Sequence, residues 1–87
     1  MTDLEQARSR IDRVDREMAA LFTERMAAVR EIGAYKMQNG IPIEDAARED
    51  EVLRRNSAMV PEELQKYYVN FLKSLFRISK DYQKEEK

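Results

Sequence analysis

One cation stands where a helix ought to be apolar, and a second projects from nearly the same face. Leu4, Ala7, Ile11, Val14, Met18 and Leu21 recur three and four residues apart, and the series continues through Arg25, Ala28, Ile32 and Tyr35. That spacing is a helical seam, and Arg25 occupies one of its positions. A buried guanidinium is unfavourable unless an anion meets it. Lys36 follows eleven residues later, close to three helical turns, so it projects from nearly the same face. Two cations on one inward face, with no acid between them on that face, suit a bound anion. Two plainer readings stand beside this one. Arg25 can pack its stem while its head reaches water or a Glu of a second chain. Lys36 can simply complement the C-terminal end of the helix dipole.

Other polar residues could extend such a site. Asp45, Arg48, Glu49 and Val52 share one helical face. Asp45 with Arg48 also reads as a surface pair, and Asp45 with Glu49 places like charges four residues apart, which is mildly unfavourable without a purpose. Ser79 and Gln83 are four apart on a later helix, where each alone reads as a surface residue. Gly33 sits inside the first helix at a cost of about 1 kcal/mol relative to Ala. It reads as a tolerated helical glycine, with close approach of a neighbour or ligand as the alternative. Arg8 flanks the seam and lies roughly 25 Å from Arg25 along a straight helix. One small ligand cannot touch both within one chain, but an antiparallel partner can bring its own Arg8 to Arg25.

The chain has no His and no Cys. Ser–His and Cys–His nucleophiles, disulfides and Cys/His zinc sites are therefore absent. There is no Gly-rich phosphate loop. Any catalysis must rest on cationic donors, an amide and carboxylates, which suits electrostatic preorganisation better than covalent chemistry. No metal or cofactor is expected.

These residues need rigid carriers, and the pattern supplies three helices with no strand alternation. The first spans about 3–39, stopped at Asn39-Gly40-Ile41-Pro42, where Gly suits the left-handed cap. The second spans about 45–55, with Asp45 as N-cap. The third spans about 61–83, with Pro61 in its first turn and a stripe of Leu64, Tyr68, Phe71, Leu75, Ile78 and Tyr82. A helix of about 37 residues is over ~50 Å long. The rest of an 87-residue chain cannot cover it, so the expected fold is all-α, one domain over residues 1–87 forming an intertwined helical homodimer.

Net charge is −1, and 38% of residues are charged, with both signs represented. That is not the basic face of a nucleic-acid binder. No segment could span a membrane, and the start, Met1-Thr2-Asp3-Leu4-Glu5, lacks the features of a signal peptide. A soluble cytoplasmic protein is expected. The polar end Lys84-Glu85-Glu86-Lys87 suits either a free tail or the beginning of a linker to a further domain.

The ordered set is more telling than its parts. Arg8…Ile11-Asp12…Val14-Asp15, Leu21-Phe22-Thr23-Glu24-Arg25, Lys36…Asn39-Gly40-Ile41-Pro42-Ile43, Asp45-Ala46-Ala47-Arg48-Glu49 and Ser79…Gln83 closely resemble the all-helical class of chorismate mutases, over nearly the whole chain. The resemblance implies a helical dimer with two active sites. Each would convert chorismate to prephenate by a Claisen rearrangement, in phenylalanine and tyrosine biosynthesis. It implies that Arg25, with Arg8 donated by the partner, binds the substrate carboxylates. Lys36 and Gln83 would hydrogen-bond the ether oxygen. Glu49 and the Asp45 region would hold the ring hydroxyl, and Arg48 and Ser79 would complete the polar wall. Lys80 departs from the pattern, because that position is often apolar in the family. It either faces solvent or alters the pocket rim. An isochorismate-pyruvate lyase shares the fold and the anionic substrate type, although the Asp45–Glu49 box and Gln83 favour the mutase. A non-catalytic helical dimerisation module would account for the seam but leave Arg25, Lys36 and Glu49 unrelated.

Overall fold

A computed structural model describes residues 2–85, and in them the chain forms three α-helices and one short 3-10 turn, with no strand. Helix α1 spans Asp3–Gln38 and α2 spans Ala46–Ser57. A 3-10 turn at Glu62–Leu64 then leads into α3, Gln65–Glu85. Met1, Glu86 and Lys87 lie outside the described residues, so the expected polar end falls partly beyond them.

Local chemistry explains each boundary. Thr2 and Glu5 form a reciprocal capping box at the start of α1: the Thr2 hydroxyl accepts from the Glu5 N–H at 3.1 Å, and Glu5 Oε1 accepts from the Thr2 N–H at 3.2 Å. The Thr2 hydroxyl also donates to Glu5 Oε1 at 2.9 Å, and this bond first, then the one from the Thr2 N–H, holds the Glu5 carboxyl below its usual value. The far end closes with Gly40 at φ 64°, the left-handed conformation expected of it. There the Ile41 N–H bonds to the Lys36 carbonyl and the Gly40 N–H to the Met37 carbonyl, the double closure of a Schellman end. Asp45 caps α2 by accepting from the Arg48 N–H at 3.0 Å. This corrects the Asp45–Arg48 surface-pair reading, since the bond runs to the Arg48 backbone. Pro61 precedes the 3-10 turn, and α3 proper begins later than the expected 61.

Helix α3 is the element against which both α1 and α2 pack. Among the described residues the buried apolar ones are few: Val29, Leu72 and Phe76. The expected stripes are displaced. On α3 the buried positions are Leu72, Phe76, Ser79 and Gln83, one helical row away from Leu64, Phe71, Leu75 and Ile78. On α1 the inward face runs through Arg25, Val29, Gly33 and Lys36, while Ile32 and Tyr35 are exposed. The reason is that α3 is shorter than α1 and covers only its C-terminal half. The row facing α3 is set by how the two helices cross, which seam spacing does not encode.

The rest of the seam is bare. Leu4, Ile11, Val14, Met18 and Leu21 are all exposed, Leu21 at 63%. The molecule is 55 Å long and 15 Å thick, with a radius of gyration of 16.2 Å. A compact chain of this length would have a radius of about 12 Å. One chain is thus a rod with an uncovered apolar edge.

Candidate active site

The C-terminal half of α1, the loop after it, the first turns of α2 and the end of α3 enclose a cleft of about 190 Å³. Of the eight site residues expected from the sequence, seven line it: Arg25, Lys36, Asp45, Arg48, Glu49, Ser79 and Gln83. Its apolar walls include Val29, Ile43, Val52 and Phe76. Arg8 does not line it and is exposed on the distant half of α1. A larger hollow at Pro61, Glu62, Glu63 and Lys66 is an open surface depression with two acids, unsuited to an anion.

The two cations are half-buried and, among the described residues, neither is paired with a carboxylate. Arg25 Nη1 donates to Ser79 Oγ at 2.6 Å, and that hydroxyl donates in turn to the Leu75 carbonyl at 2.7 Å. Lys36 Nζ donates to the Ile43 carbonyl at 3.0 Å, so the tight turn after α1 brings its own acceptor to the ammonium. Both side chains are therefore held by neutral acceptors at the half-buried wall of the cleft. An anion between them would meet two cations at once.

Gln83 is buried, and its Nε2 donates to the Val29 carbonyl of α1 at 3.0 Å. A carboxamide nitrogen carries two protons, so one remains for a ligand. Gly33 lets the two helices approach closely here. A Cβ there would sit 3.0 Å from Gln83 Cγ, tighter than most such contacts, so Gln83 would have to give by a few tenths of an ångström. The close-approach alternative for Gly33 is thus the correct one, and the tolerated-glycine reading is not.

The anionic side of the cleft is organised by a residue whose place the sequence left undecided. Lys80 Nζ lies 3.1 Å from Glu49 Oε2 and 3.1 Å from each carboxylate oxygen of Glu44. Glu49 foremost, then Glu44, raises the Lys80 ammonium above its ordinary value. Lys80 therefore stays protonated at neutral pH, and it alters the rim rather than facing solvent. One turn before Gln83 on the same helix, it shares the face that closes the cleft. Arg48, in contrast, lies at the margin, with its Nη1 on Glu51 at 2.9 Å. Glu51 also receives Arg55, as the helical spacing predicts.

A cleft with two cations that have no carboxylate partner, a buried amide and two acids has the chemistry to receive a small organic anion carrying a hydroxyl. The chorismate mutase type II family matches residues 7–84, all but the ends of the chain. The chain belongs to the chorismate mutase type II family. It is also similar to the T-protein of Haemophilus influenzae, at 41% identity over 54 residues. That match covers 62% of this chain and 14% of the T-protein, so the chain spans a small part of that relative's length. No solved structure gives a significant match.

Among the described residues no group of His, Cys, Asp or Glu could hold a metal ion, and no helix is long and apolar enough to cross a membrane.

Proposed function

We propose that the chain catalyses the rearrangement of chorismate to prephenate, as a chorismate mutase of aromatic amino-acid biosynthesis acting without a covalent intermediate or cofactor. The observation that carries this reading is the convergence of Arg25 and Lys36, neither matched by an acid, on the cleft that Gln83 and Glu49 also line. The family match over residues 7–84 supports it.

The chemistry needs little else. The reaction is unimolecular: one C–C bond forms as one C–O bond breaks within the same molecule. Negative charge gathers on the departing ether oxygen in the transition state. Lys36 and the free proton of Gln83 are the donors assigned to that oxygen, and a fixed ammonium stabilises the developing charge more than the ground state. Arg25 takes a carboxylate, with Ser79 steadying the guanidinium through its 2.6 Å hydrogen bond. Clamping both carboxylates favours the compact reactive conformer over extended ones. Glu49, with Asp45 beside it, accepts from the ring hydroxyl, and Arg48 closes the margin of the polar wall.

In this reading the working unit is a homodimer in which Arg8 of one chain completes the cleft of the other. The support is twofold. The cleft of one chain, about 190 Å³, is smaller than the roughly 300 Å³ at which small-molecule sites begin. The bare seam from Leu4 to Leu21 adjoins it along α1, and uncovered apolar rods of this kind pair. A cytoplasmic location belongs to the same proposal.

Incubating the protein with chorismate and with isochorismate in parallel tests the assignment. Prephenate formation is expected. Release of pyruvate from isochorismate with no prephenate from chorismate would replace it with the lyase reading.

A further inference from the structure

Helix α2 begins with a concentration of negative charge. Glu44, Asp45 and Glu49 fall within six residues, beside a cleft that must admit a dicarboxylate. Asp45 spends an oxygen on the Arg48 N–H. Among the described residues the Glu44 and Glu49 carboxylates have no such backbone partner, and left alone they would repel each other and the incoming ligand. One cation answers both. Lys80 reaches from α3 to within 3.1 Å of each, and its side chain is 24% exposed.

We infer that Lys80 is a positioning residue: it aims the Glu49 carboxylate into the cleft for the substrate hydroxyl and cancels its charge against the substrate's carboxylates. The inference rests on the chorismate mutase reading. Lys80 engages Glu49 Oε2, which orients the carboxylate plane and leaves the second oxygen to accept from a hydroxyl. Glu44 also holds the ammonium, through both of its oxygens, so Lys80 is braced between loop and helix. Glu44 also follows directly on Ile43, whose carbonyl receives Lys36. The brace therefore joins the acidic and cationic ends of the site. An ordinary surface ion pair would influence stability slightly and ligand binding not at all.

The hydroxyl takes no part in bond breaking, so its partner binds ground state and transition state alike. Loss of such uniform binding appears in KM and leaves kcat. The test measures steady-state kinetics and thermal melting of Lys80→Met, Lys80→Arg, Glu49→Gln and the Lys80→Met/Glu49→Gln double variant, as full chains. Lys80→Met is expected to raise KM about tenfold with kcat changed by less than about threefold, and Lys80→Arg to keep KM within about threefold of wild type. In the Glu49→Gln background, Lys80→Met should add nothing further to KM. An equal rise in both backgrounds would mean that Lys80 acts on the substrate directly, and would overturn the inference. So would a fall in melting temperature with KM unchanged. Wild-type protein that does not turn over chorismate removes the assigned activity and this role with it; active wild type with an indifferent Lys80→Met removes the role alone.

Discussion

Gly33 and Gln83, on different helices, touch: the position of a Cβ on Gly33 lies 3.0 Å from Cγ and 3.3 Å from Cβ of Gln83. The absent methyl lets α3 bring a buried amide against α1, where it donates to Val29 and faces the cleft. A helix-interior glycine thus serves a close approach, against a propensity penalty of about 1 kcal/mol.

Gly33→Ala separates stability from activity. The better helix former offsets the strain of moving Gln83, so the melting temperature should shift by only a few degrees. Displacing the Gln83 amide should lower kcat by roughly tenfold. Melting curves and kinetics on the same preparation check both, and unchanged kcat would detach Gln83 from the reaction.

Lys36→Ala removes the ammonium assigned to the breaking bond. A fall in kcat of at least ~10²-fold is expected, the scale of losing one oxyanion donor. Turnover near that of wild type would leave Lys36 as a mere helix-end cation bonded to Ile43.

Gln83→Glu replaces an amide that donates at every pH with an acid that donates only when protonated. Burial disfavours the ionised form and raises such a carboxyl's pKa. Activity should therefore be retained on the acid side and decline as pH rises, a slope the wild type lacks. Superimposable pH–rate profiles would contradict the role given to this residue.

Mixing Arg8→Ala chains with Arg25→Ala chains tests donation between subunits. Each variant alone should be nearly inactive. A heterodimer carries one intact and one doubly altered site, so equal mixing with free exchange should recover about a quarter of wild-type activity. Silence after exchange has been verified by mass would confine the site to one chain.

The capping box predicts an acid response. The Glu5 carboxyl is held below its ordinary value, so its contribution is present above that value and is lost as pH falls through the lowered one. Glu5→Gln should make α1 less helical near neutrality and less sensitive to acid, read by far-ultraviolet circular dichroism between pH 7 and 2. Parallel acid titrations of the two proteins would deny Glu5 that part.

Much of this molecule was legible along the chain. Arg25 in a seam, Lys36 three turns later and the Asp45–Glu49 box are statements about residue type and helical period, and both persist whatever the helices pack against. The same holds for the caps: Asp45 and Gly40 act on backbone groups a few residues away, within reach of local rules. The buried row of α3 was misplaced by one position because adjacent rows of Leu72–Phe76 and Leu75–Ile78 are equally apolar, and periodicity alone cannot rank them.

Chemistry and carriers, then, were determined by the sequence: which groups donate, which accept, and that helices hold them. Tertiary structure alone decided that Gln83 rests on Gly33, that Ser79 takes Arg25, and that Lys80 meets Glu49. The physical reason is range. Helical hydrogen bonds and caps act over four or five residues, whereas these contacts span about thirty to fifty-four and depend on how two rods cross.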